Sequence, residues 1–270
     1  MIHRAMRTGW IYLAALALLV GFVAPRDTHA QARGGRDGGP PATARATAPK
    51  NFTGYWVAVV TEHWHLRMQM PPKGDFSMLP VNAEARRVAG TWDPAQDQAS
   101  GNACRAYGAA AIMRIPGRLH ITWADDNTLK IDTDSGTQTR LLHFSAAPAP
   151  ASATTTQADW QGYSTAAWAG AAVGRGARTP GPAGNLSVTT TRMRPGYLRK
   201  NGVPYSENTV LQEYFDTFTE PNGDSWLVVT SIITDPQYLT GPYATTNQFK
   251  KVPDNASGWD PTPCRADQPR

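Results

Sequence analysis

The fold the sequence predicts is mainly β: a single antiparallel, lipocalin-like barrel of about eight strands, with one or two helical insertions over residues 82–113. Three observations carry this expectation. Segments rich in β-branched and aromatic residues recur from Asn51 onward, turn formers separate them, and most alternate in hydrophobicity. About eight strands suffice to close a small barrel able to hold one small ligand.

The N-terminus reads as an address. Arg4 and Arg7 precede an apolar run from Trp10 to Val23, and Ala30-Gln31-Ala32 offers a small-x-small cleavage site, so residues 1–32 are expected to be a signal peptide. The run is shorter than the ~20 residues a bilayer span needs. The chain is therefore expected in the periplasm or outside the cell, with no stable membrane span after cleavage. Residues 33–50, rich in Gly, Pro and Ala, read as a disordered spacer.

Loss of residues 1–32 removes Arg4, Arg7 and Arg26 against Asp27, which lowers the formal net charge of +5 by two. The remaining cations are spread along the chain. Nucleic acid is not an expected partner, because its electrostatic footprint is a clustered basic patch. Two cysteines, Cys104 and Cys264, suggest one disulfide in an oxidising compartment, against the alternative of two free thiols.

Ordered sequence is expected over 51–264 as one domain, followed by a short tail at 265–270. Asn51–Met68 reads as a long strand, or two joined by a bulge, with Phe52, Gly54, Trp56, Ala58 and Val60 sharing one parity. Pro71, Pro72, Gly74 and Pro80 then make a loop. Asn82 is placed to cap a helix running to about Trp92, with Glu84 in its first turn. A second helical stretch spans about Asp97–Met113 and carries Cys104.

Residues 118–144 predict three strands joined by tight turns, with Leu119, Ile121 and Trp123 on one face. Segments 145–156 and 170–184 are low in complexity and read as flexible insertions. Between them Trp160–Trp168 predicts an isolated strand. Leu186–Met193, Thr209–Phe218 and Ser225–Thr234 predict further strands, and Tyr243–Lys250 a polar edge strand. The 192–218 segment reads as a hairpin joining two barrel strands through a solvent-exposed turn at Asn201-Gly202.

Two resemblances follow. Gly54-Tyr55-Trp56 resembles the Gly-x-Trp entry of lipocalin and calycin barrels, in which the Trp closes one barrel end. Asn201-Gly-Val-Pro-Tyr-Ser-Glu207, Trp226-Leu-Val-Val-Thr230, Asp235-Pro-x-Tyr-Leu-Thr240, Phe249-Lys-Lys251 and Trp259-x-Pro-x-Pro-Cys264 resemble a group of uncharacterised exported proteins of soil bacteria. That likeness spans most of 51–264. It implies export and a shared fold, without an activity to transfer.

The leading functional expectation is a periplasmic or secreted binding protein for a small apolar or aromatic ligand. Trp56, Tyr197, Arg199, Tyr205 and Tyr214 are the expected ligand-binding residues, with Arg199 pairing an anionic group. The alternative is a cofactor-independent isomerase, lyase or hydrolase using His143, Glu213 and Tyr205 inside the barrel. The next alternative is a structural envelope protein with a side-chain-filled barrel. Glu213 shares its parity with Leu211 and Phe215, so burial requires a partner such as Arg140 or Arg192. His63 and His65 are metal candidates, two apart on an expected strand, and a third ligand would have to be brought in by the fold. No nucleophile elbow, phosphate loop, HExxH or dinucleotide fingerprint occurs, and no cofactor is expected.

Overall fold

The computed structural model describes residues 42–144, 159–169 and 185–270. The expected signal peptide and the insertions at 145–156 and 170–184 lie outside the described residues. The strands are β1 Gly54–Val59, β2 Arg118–Asp125, β3 Thr128–Thr133, β4 Ser135–Gly136, β5 Gln138–His143, β6 Tyr163–Trp168, β7 Leu186–Thr191, β8 Gly196–Arg199, β9 Val203–Tyr205, β10 Val210–Thr219, β11 Ser225–Thr234, β12 Tyr243–Val252 and β13 Thr262–Pro263. The helices are α1 Trp64–Arg67, α2 Ala83–Ala89, α3 Pro94–Ala99, a 3₁₀ turn at Ala103–Ala106, and α4 Ala109–Ile112.

The wall is a closed barrel whose ring runs in chain order through β1, β2, β3, β5, β6, β7, β10, β11 and β12, and β12 pairs back onto β1. The expectation of about eight antiparallel strands is corrected in two details. The ring has nine strands, because Tyr163–Trp168 is not isolated but pairs with β7 along its whole length. Its other neighbour, β5, runs parallel to it and, among the described residues, pairs over two positions, Leu142 with Ser164 and His143 with Thr165. A parallel neighbour demands a crossover connection.

Alternation sets the interior. Leu119, Ile121, Leu129, Ile131, Leu142, Leu186, Val188, Phe215, Leu227, Val229 and Phe249 point inward and are buried with Trp56. The expected polar edge strand is also corrected. Strand β12 pairs on both sides, with Tyr243, Asn247 and Phe249 buried on the inner parity and Lys250 on the outer. Closing the ring in this way removes its edges.

Helical material packs beside the barrel. Asn82 caps α2 as expected, its Oδ1 accepting from Ala85 N at 2.9 Å. The helix ends at Ala89, and Asp93 caps α3 by accepting from Ala95 N and Gln96 N. Gly101 at φ +74° and Gly108 divide the expected second helix into three short pieces.

Three further expectations change. The Asn51–Met68 strand stops at Val59, and His63, in the left-handed region at φ 47°, turns the chain into α1. The supposed spacer is packed over residues 42–50: Ala44 N donates to Asn127 Oδ1 and Arg45 N to Asp126 O, while Lys50 pairs with Asp216. The 192–218 hairpin is a side ribbon, β8 paired with β9, lying between β7 and β10 in sequence but outside the ring.

The turn of that ribbon is buried rather than wet. Asn201 is 0% exposed and its Nδ2 donates to Pro72 O at 2.9 Å and Asp75 O at 2.8 Å. Gly202 has φ +82°, and a Cβ there would stand 2.3 Å from the Trp92 Cβ. The C-terminal tail also docks. Cys104 and Cys264 form a disulfide, and Arg270 donates to Asp134 Oδ2 at 2.9 Å. No helix among the described residues is long and apolar enough to cross a membrane.

Candidate functional site

Among the described residues the barrel interior carries a cluster of buried side chains. At its centre Arg140 of β5 and Glu213 of β10 are both 0% exposed and meet through two bonds, Nη2 to Oε2 at 2.5 Å and Nη1 to Oε1 at 3.1 Å. Arg140 Nη2 also donates to Thr190 Oγ1 at 3.4 Å, and Thr190 shares a 2.7 Å hydrogen bond with Ser164. This two-pronged geometry satisfies a carboxylate well. Glu213 has the inward orientation its parity predicts, and its partner is Arg140.

The three residues expected to form a catalytic group are dispersed. His143 shares the outer parity of β5 with exposed Leu141, stacks on Tyr163 at 5.0 Å between ring centroids, and approaches Thr128 Oγ1 at 3.5 Å. Burial holds its pKa below the ordinary histidine value, with Asp125 opposing. His143 and Glu213 therefore face opposite sides of the barrel wall. Tyr205 sits on the side ribbon, buried with Leu198, Val203 and Leu211, and its hydroxyl has no protein partner. Burial pushes that phenol upward.

The expected aromatic ligand wall is likewise not assembled. Trp56 is buried in the core cluster and its Nε1 donates to Phe52 O at 2.9 Å. Tyr197 donates its hydroxyl to Asp97 Oδ2 at 2.8 Å under the Arg105 guanidinium, and burial pushes its pKa up. Tyr214 is 39% exposed on the outer face of β10. His63 and His65 belong to a turn and a helix, so the shared strand face expected of them does not exist. Among the described residues no three His, Cys, Asp or Glu side chains converge as a metal site would require.

A different site lies beside the barrel, where α1, the 3₁₀ turn, α4, β8 and the tail meet. Leu66, Ala106, Ala111, Ile115, Leu198 and Pro269 give a cleft its apolar walls, and Arg67, Arg114, Arg199 and Lys200 bring four cations to it. Of the expected ligand residues, Arg199 alone lines it. The cavity volume is about 40 Å³, room for about three water-sized groups.

Three of the four cations have acceptors at their terminal nitrogens. Arg114 Nη1 donates to Glu62 Oε1 at 3.1 Å, and Arg199 Nη2 donates to Ser77 O at 2.7 Å with the Asp75 carboxylate 3.8 Å from its Nη1. Lys200 Nζ donates to Tyr107 OH at 2.5 Å, Gln268 O at 2.6 Å and Arg265 O at 3.3 Å. Burial brings the Lys200 pKa down to about 7, with Asp267 opposing. The three acceptors match the three N–H of an ammonium and also oppose that shift.

Arg67 is the exception. It is 5% exposed; Nε donates to Arg114 O at 3.0 Å, while Nη1 and Nη2 are buried without a partner. Burial, then the charge of Arg114, lowers its pKa to about 10, against Glu62 and Tyr243. It therefore remains a cation at neutral pH. Sequence pattern missed Arg67 because it follows a β-like run, although no β-branched residue occurs from Glu62 to Met68. Comparison with family models, with curated proteins and with solved structures finds no match to this chain.

Proposed function

We propose that this is an exported binding protein for a small organic ligand, seated in the lateral cleft rather than in the barrel. The observation that carries the reading is the cleft itself: apolar walls from five separate segments converge beside the barrel. Small-molecule sites combine such walls with a few placed polar groups. The disulfide and the leader-like N-terminus support an oxidising compartment.

An enzyme built on His143, Glu213 and Tyr205 loses its support, because those groups occupy three environments. Lys200 does not replace them, since its N–H groups are committed to Tyr107 and the tail. Native electrospray mass spectrometry on protein purified from its host should show a co-purified small molecule. Ala111→Leu, which puts three extra carbons at the cleft wall, should abolish that mass difference. Repeated isolation of the bare chain would count decisively against the reading.

A further inference from the structure

We infer that the lateral cleft selects a compact carboxylate, received by the terminal nitrogens of Arg67. The inference rests on the binding reading above and names the ligand chemistry of that site. A buried guanidinium whose two outer nitrogens lack acceptors is an uncompensated charge, and such a charge is costly unless something pairs with it. Neither nearby protein carboxylate supplies that pairing, for Glu62 is bonded to Arg114 and Asp75 lies by Arg199.

The guanidinium is also oriented. Its Nε is bound to the Arg114 carbonyl at 3.0 Å, which leaves the edge carrying Nη1 and Nη2 for a planar, two-oxygen acceptor. The volume of about 40 Å³ matches the three heavy atoms of a carboxylate group. Leu66 and Leu198 beside it suit a short hydrocarbon body, and Arg114 and Arg199 add positive potential without leaving their own acceptors.

The test uses the whole exported chain and three probes: propionate, its neutral isostere propionamide, and inorganic phosphate. In titrations followed by amide NMR, propionate should give saturable shifts at Leu66, Arg67, Ala111 and Leu198. Propionamide should bind at least tenfold more weakly, and Arg67→Met should erase the difference between them. Equal binding of propionate and propionamide overturns the carboxylate assignment while leaving a ligand cleft. Tighter binding of phosphate than propionate overturns it too. Absence of saturable cleft shifts with propionate and propionamide, together with a bare chain from the host, overturns the binding reading as well. The comparison on the unaltered protein decides the matter even if Arg67→Met fails to fold.

Discussion

At the scale of single residues, Arg140 and Glu213 show how much a burial pattern determines. Glu213 alternates with Leu211 and Phe215, so its inward orientation is legible in the sequence, and Arg140 is one of two partners the sequence names. Which guanidinium reaches it is not legible, since the choice depends on where β5 and β10 stand around the ring. Replacing Glu213 with Gln leaves a buried guanidinium facing a neutral amide and should cost about 3–5 kcal/mol of stability. Urea unfolding of Glu213→Gln beside the parent measures this directly. A change below about 1 kcal/mol would mean that the pair contributes little. Arg67 illustrates the converse: its buried guanidinium is held by the Arg114 carbonyl, 47 residues away in sequence.

At the scale of elements, the β8–β9 ribbon shows where local pattern runs out. Asn201-Gly202 marks the turn correctly, because glycine admits the φ of +82° found there. Its burial comes from Pro72, Asp75 and Trp92, which no local signal connects to it. Lys200 ties this ribbon to the tail through the carbonyls of Arg265 and Gln268. Its pKa falls from the ordinary 10.5 to about 7 in the folded chain, mainly through burial. Between those values the unfolded chain binds the proton that the folded chain has lost, so stability should rise with pH across that window. Denaturant midpoints at pH 7 and pH 9 should show this rise in the parent and a smaller one in Lys200→Met. Identical slopes in the two proteins would locate the pH dependence elsewhere.

At the scale of the whole molecule, barrel closure and the disulfide are legible, but the ninth strand and the lateral site are not. Strand periodicity reports which face is apolar; it does not report which strand accepts a parallel neighbour. The Cys104–Cys264 bridge joins residues 160 apart, and its removal should cost about 2–5 kcal/mol, largely through the unfolded chain in the entropy model. Urea midpoints with and without dithiothreitol test this, and an unchanged midpoint would show that Arg270 and Lys200 hold the tail unaided. The short parallel pairing of β5 with β6 has its own consequence. Among the described residues it is the thinnest stretch of backbone pairing in the ring, and Arg140 on one side of it grips Glu213 and Thr190 on the other. The ion pair thus works as a rivet across a narrow seam, and unzipping of the barrel should begin there once the rivet is drawn.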